Sequence, residues 1–175
     1  MVEIRTLTGS DIDALAEVHV RTWRSAYAGI VPAEVLDALD PAVFAERRRS
    51  RPVLPGAVTL VADDGGTIVG FTSFGPGRVD EAGGDEDDRS AGELYAIYVD
   101  PGHQRAGAGK LLLAAAMDGL AKAGFSEMRL WVFTENHPAR LFYERFGLAP
   151  NGERNYYTPS GSTAKLPEIR YAVRL

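Results

Sequence analysis

Val2 to Leu7 alternates apolar and polar residues, the period of a half-buried strand. Ser10 followed by Asp13 then reads as a capping box, and Ile12, Leu15, Val18, Thr22 and Ala26 continue at helical spacing to a stop near Gly29. Pro32 is placed for the first turn of a shorter helix through Leu39, and Pro41 for a third that runs through Phe44 to Arg47, Arg48 and Arg49. The period then changes. Val58, Leu60 and Ala62 lead into Asp63-Asp64-Gly65-Gly66, and Thr67 to Phe74 resumes an extended pattern, which predicts a hairpin. Gly75 to Gly92 is rich in Gly and acid, without periodic apolar residues, and reads as a solvated loop.

Glu93 to Val99 is the most strand-like segment, stopped by Asp100-Pro101-Gly102. A helix follows from Gly107 to about Ala123 with Gly124 as its C-terminal stop, then a strand from Met128 to Thr134 and a helix from Asn136 to Phe146 closed by Gly147. An extended piece near Tyr156 and a last strand from Glu168 to Leu175 complete the chain. No internal repeat and no linker interrupts this order, so the pattern predicts one mixed α/β sheet domain over residues 1–175, with helices on both faces.

Composition narrows the chemistry. With 175 residues the chain can bury a core without disulfides, and it has no Cys, which excludes a Cys nucleophile, a thiolate metal centre and a disulfide scaffold. A net charge of −5 argues against a nucleic-acid partner and permits a cationic one. The first residues lack the apolar stretch of a signal peptide, and the longest apolar run, Leu111 to Met117, is far too short to cross a membrane. A cytoplasmic protein is the expectation.

Gln104-Arg105-Ala106-Gly107-Ala108-Gly109-Lys110 lies between a predicted strand and a predicted helix, where free backbone N–H groups and the positive end of the helix dipole converge on an anion site. The dinucleotide fingerprint needs Gly where Leu112 stands, and the P-loop needs Gly at Gln104 and Ser or Thr at Leu111. The pattern Gln-x-x-Gly-x-Gly after a strand ending in Val-Asp-Pro resembles instead the pyrophosphate loop of the GNAT superfamily of acyl-CoA-dependent N-acyltransferases.

That resemblance extends along the chain and implies a twisted, mixed, mostly antiparallel sheet of about seven strands, whose bulged fourth strand splays from the fifth. The cofactor it implies is acetyl-CoA. Ile97, Tyr98 and Val99 are then expected to hold the pantetheine arm through their backbone, and Gln104, Arg105, Ala106, Gly107, Ala108, Gly109 and Lys110 the pyrophosphate. Asn136-x-x-Ala139-x-x-Phe142-Tyr143-x-x-x-Gly147 resembles the family's second cofactor segment, in which the Asn contacts pantetheine and the Tyr reaches the sulfur. Trp23-Arg24-x-x-Tyr27-x-Gly29-Ile30-x-Pro32 is similar to a wall of the acceptor site in many bacterial members. The partner implied is an amine, either a small molecule or a protein, and a homodimer is common among relatives.

Transfer of an acyl group to an amine requires a neutral nucleophile, because an alkylammonium titrates near ~10. Glu93 is where several relatives carry a general base, a role that partial burial would favour. The backbone N–H of Tyr98 or a neighbour is the expected donor to the thioester carbonyl. Tyr143, a phenol of pKa about 10 against about 8.5 for a thiol, can protonate the departing thiolate.

Structural roles compete with each of these. Glu93 also reads as a solvated residue at a strand start, Tyr143 as an aromatic core residue, Asn136 as an N-cap, and Trp23 with Tyr27 as a core stripe. His19 reads as a satisfied core histidine, and His103 and His137 lack ligand spacing, so no metal is assigned. The acidic run from Asp80 to Asp88 and the cluster Arg47 to Arg49 read as solvated surface, and Tyr156 with Tyr157 as a cover for the acceptor site. The alternative to an enzyme is an acyl-CoA-binding regulator that keeps the loop and lacks the acid–base geometry.

Overall fold

The structure is a computed structural model that describes residues 1–78 and 90–175. The acidic run from Asp80 to Asp88 lies outside the described residues. Seven strands form one sheet: β1 (Val2–Thr6), β2 (Val58–Asp64), β3 (Thr67–Pro76), β4 (Gly92–Val99), β5 (Glu127–Phe133), β6 (Ala149–Tyr157) and β7 (Leu166–Arg174), in the order β1-β2-β3-β4-β5-β7-β6. Every neighbouring pair is antiparallel except β4 with β5. Three helices, α1 (Ile12–Ala26), α2 (Ala33–Asp37) and α3 (Pro41–Ser50), precede β2. Two more, α4 (Ala108–Lys122) and α5 (His137–Glu144), follow β4 and β5.

The two faces of the sheet are covered separately. On one, Leu15 and Val18 of α1 pack against Val61, Ile68 and Phe71. On the other, Leu113, Ala116 and Leu120 of α4 pack against Phe74, Leu94, Met128 and Leu130, joined by Tyr143 of α5. The side-chain alternation of each strand therefore decides which helix layer a residue meets. Tyr98 and Ala96 join the α1 layer, whereas Ile97 and Val99 join the α4 layer.

The feature that makes a site is the β4–β5 pair. Only Gly92 with Met128 and Glu93 with Arg129 are in register, and beyond them the parallel strands separate. On its other side β4 is bulged, because Ser73 faces Ala96 while Phe74 faces Leu94, leaving Tyr95 as the extra residue. The bulge turns β4 away from β5 while β3 follows it.

Several boundaries differ from the sequence pattern. The capping box belongs to Thr8 and Asp11, two residues earlier than expected: Asp11 Oδ2 accepts from the Thr8 N–H at 2.8 Å and hydroxyl at 2.7 Å. Arg5, paired with Asp11 at 2.8 Å, draws the carboxylate into this role and holds its pKa well below the usual range. The stretch expected as a loop from Gly75 gives its first two residues to β3, and Gly92 opens β4. β6 is longer than the piece expected near Tyr156. It is an edge strand with most positions exposed and its register interrupted between Pro150 and Arg154, so no alternation marks it.

Candidate active site

The loop after β4 is held from several directions. Asp100 Oδ1 accepts from the Gly102 N–H at 2.9 Å and Oδ2 from Arg21 Nε of α1 at 2.7 Å, while the Asp100 N–H donates to Val69 O. Gly107 then turns with φ +91°, a conformation that side-chain-bearing residues resist, and Ala108 starts α4. The first N–H groups of α4 have no acceptor inside the helix and point out of its N-terminus. Arg105, itself at φ +68°, and Lys110 flank that end. A Cβ at Gly109 would lie 3.6 Å from Phe142 and from Val99, an ordinary contact distance, so this position of the first turn faces the space between α5 and β4.

The gap between β4 and β5 widens into a cavity of about 1620 Å3. Its lining includes Ile97, Tyr98, Val99, Gln104, Arg105, Gly107, Gly109, Lys110, Asn136, Ala139, Phe142 and Tyr143, together with Glu93, Trp23 and Tyr27. Of the residues singled out in the sequence, Ala106 and Ala108 do not line it. Ala106 is exposed on the loop, and Ala108 packs beneath it against Leu112 and Val69.

Backbone register decides which β4 groups face the gap. The Asp100 N–H bonds Val69 O, so in this antiparallel ladder the hydrogen-bonded pairs are Val69 with Asp100 and Phe71 with Tyr98. Tyr98 therefore directs its N–H toward β3, and the N–H groups of Ile97 and Val99 face the gap. Tyr98 contributes its phenol instead, on the α1 side.

α5 stands across the gap. Asn136 caps it, Oδ1 accepting from the Ala139 N–H at 3.4 Å. Arg140 ties the helix to Thr134 O at 2.9 Å and to the Tyr171 hydroxyl at 3.1 Å, and that hydroxyl donates to Glu144 Oε1 at 2.8 Å. Tyr143 is thereby fixed on the buried side, where burial and then the neighbouring Tyr98 push its phenol pKa well up. Tyr98 is likewise raised, chiefly by burial. The two phenols belong to opposite layers of the sheet and both line the cavity.

Glu93 is not a solvated strand end: it is only 3% exposed, and Arg78 takes up both its oxygens. The Arg78 N–H donates to Oε2 at 2.8 Å and its Nη2 to Oε1 at 2.7 Å. Arg78 also lies over the Tyr95 ring at 4.6 Å, and burial followed by the Glu93 charge raises the Tyr95 phenol to about 12.

The α1 side of the gap is aromatic. Trp23 and Tyr27 meet at 4.9 Å, Tyr27 and Phe133 at 4.9 Å, and Phe133 and Tyr157 at 5.8 Å between ring centroids. Trp23 and Tyr27 are thus both an apolar cluster and a cavity wall. His19 belongs to this wall, 4.2 Å from Phe44 and 5.0 Å from Tyr98. It is not a satisfied core histidine: its buried Nε2 has no hydrogen-bond partner among the described residues, and burial, then the Arg48 charge, lower its pKa to about 4. Among the described residues no group of three or more His, Asp or Glu is arranged to hold a metal.

Sequence reasoning missed Arg78, Phe133 and Glu168, all of which line the cavity. The signal for Glu168 was present as alternation, since Glu168 and Arg170 interleave with Ile169 and Tyr171. What the alternation could not tell was that this face looks into a cleft.

The model of the family described as Acetyltransferase (GNAT) family matches residues 15–148. The chain is 38% identical over 156 residues to the uncharacterized N-acetyltransferase YuaI of Bacillus subtilis (strain 168), covering 89% of this chain and 85% of that protein. It is 26% identical over 153 residues to the spermidine N(1)-acetyltransferase of Thermoplasma acidophilum, covering 83% and 87%. Among solved structures, the fold is similar to PaiA N-acetyltransferase from Thermoplasma acidophilum in complex with coenzyme A, with TM-score 0.74, 23% identity and coverage of 100% and 99%. The family match takes in the glycine loop, the splayed strands and the Asn136 helix, and on that ground the chain belongs to the GNAT family of acetyltransferases.

Proposed function

We propose that this protein transfers the acetyl group of acetyl-CoA to a primary amine by direct attack in a ternary complex, with the cleft between β4 and β5 holding both substrates. The observation that carries the reading is the opening of two parallel strands onto the N-terminus of α4. The residues present fit the donor. The first turn of α4, with Arg105 and Lys110 beside it, suits a pyrophosphate. The N–H group of Val99 and the side chain of Asn136 suit an extended, amide-bearing arm running along β4.

The chemistry follows from what meets in the gap. The nitrogen of the neutral amine attacks the thioester carbonyl carbon, forming the C–N bond, and negative charge gathers on the carbonyl oxygen. The Ile97 N–H, which points away from β3 into the gap, is the donor we assign to that oxygen. The C–S bond then breaks and Tyr143 gives its proton to the sulfur. Its raised pKa keeps the phenol protonated until a thiolate forms beside it. The proton lost by the amine passes through water to Glu93, the carboxylate that Arg78 holds at the cavity wall. The products are an amide and free CoA thiol.

Calorimetric titration with acetyl-CoA and with CoA, followed by a thiol-release assay over a panel of amines, tests the reading. Binding that is lost in Gly109→Glu, with thiol release that depends on an amine, is the expected result. Absence of binding in the unaltered protein overturns it. Gly109 is the right position because its φ is ordinary and its Cβ would meet only van der Waals contacts, whereas any side chain at Gly107 strains the backbone.

A further inference from the structure

The reaction above leaves the half-buried Glu168 without a part. It stands on β7 opposite Phe133 of β5 and Asn155 of β6, so Phe133 and, two residues along β6, Tyr157 share its face of the sheet. It lines the cavity, and its charge adds to burial in raising the phenols of Tyr27, Tyr98 and Tyr157. A carboxylate felt by three tyrosines from three elements sits within the aromatic wall itself.

Two carboxylates therefore occupy one face of the cleft. Glu93 is in register with Arg129 and Glu168 with Phe133, four residues farther along β5, which separates their rows by about 13 Å. A single reacting nitrogen cannot use both. That nitrogen must also be neutral when it attacks, and a carboxylate held against it favours the charged ammonium. The charge of Glu168 suits a cation that stays a cation. The surroundings agree. Aromatic faces attract alkylammonium groups and tolerate the methylenes between them, and of the cations that line the cavity Arg105, Lys110 and Arg145 lie at the α4 and α5 end while Arg78 is paired with Glu93.

We propose that the acceptor is an aliphatic amine bearing a second cationic nitrogen, and that Glu168, with the rings of Phe133 and Tyr157, holds that second nitrogen while the first attacks; this rests on the acetyl-transfer reading above. From β4 across β5 to β7 is two strand spacings or more, at least about 10 Å, so the two nitrogens are separated by a chain rather than by a few bonds.

The test compares straight α,ω-diaminoalkanes of four to eight carbons with n-alkylamines of the same length, using acetyl-CoA and thiol release. The diamines should exceed the monoamines in kcat/KM by about tenfold or more, increasingly with length, mainly through KM. Glu168→Gln should bring that ratio to within about twofold, while Glu168→Asp, which keeps the charge, should retain most of it. A purely structural role for Glu168 would lower kcat for both amine types together and leave the ratio standing, which overturns the proposal. Equal turnover of diamines and monoamines by the unaltered protein overturns it too, with the acetyl-transfer reading intact. Acetyl-CoA binding without transfer to any amine overturns both.

Discussion

The two halves of the cleft are built from different materials. The half proposed for the acyl donor, the turn at Gly107, the first turn of α4, one edge of β4 and the cap of α5, is mostly backbone, and its parts are close in sequence. The half proposed for the acceptor is side chains: His19, Trp23 and Tyr27 from α1 and the residue after it, Phe133 from β5, Tyr157 from β6 and Glu168 from β7. Backbone N–H groups at a helix start recognise a phosphate whatever side chains surround them, so such a half serves many enzymes unchanged. Side chains gathered from four elements can be exchanged one at a time, which is how one fold accepts different amines.

Substitutions can break one half and spare the other. The largest effect is expected from Gly109→Glu, which sets a carboxylate on the first turn of α4, between Phe142 and Val99 and beside the proposed phosphate site. Acetyl-CoA affinity should fall by about a hundredfold or more in calorimetry, with the melting temperature kept. At the junction of the halves, Glu93→Gln should lower kcat by about a hundredfold and leave CoA affinity in place. Unchanged turnover would remove Glu93 from the chemistry and leave it as the anchor of Arg78.

The acceptor wall carries its own signature in pH. His19 titrates at about 4 in the folded protein against 6.5 for an ordinary histidine, so the unfolded chain binds the extra proton first. Its contribution is present above about pH 6.5 and is lost as pH falls toward 4, by about 2 kcal/mol once its contact with the cavity is allowed for. Urea unfolding from pH 7 to 4 should show this decline, and His19→Leu should flatten it. Equal slopes in the two proteins would mean that His19 is not the group responsible. The smallest effect expected is for Tyr143→Phe, which removes the bridge between the halves without altering its packing: kcat should drop by about tenfold while KM for acetyl-CoA holds. A loss of acetyl-CoA binding instead would make Tyr143 a packing residue of the donor half.

The same contrast governs what could be read in advance. The geometry of the proposed donor half was legible because its logic is local: Gly107 and Gly109 at a strand-to-helix junction, and Asn136 three residues before Ala139 at a helix start, are short-range patterns with short-range causes. Even there one atom was left open between Tyr98 and a neighbour. Tyr98 is on the cleft strand, but whether its N–H or that of Ile97 faces the gap depends on ladder parity, which Asp100 and Val69 fix from outside the strand. The acceptor half was hidden. Trp23 and Tyr27 read equally well as core, Phe133 as an ordinary strand residue, and β6 scarcely read as a strand because an exposed edge has no buried face to impose alternation.

By itself, then, the sequence determined the order and type of the elements, the two-faced sheet and the glycine turn that opens α4, since hydrophobic period, glycine placement and capping act over a few residues. Only the tertiary structure decided that β4 and β5 part after Glu93, that Arg78 claims this carboxylate, and that Glu168 ends among the tyrosines. These outcomes depend on a bulge and on strand register, which join residues distant in the chain, and the energy of a long-range pairing is not written in either partner alone.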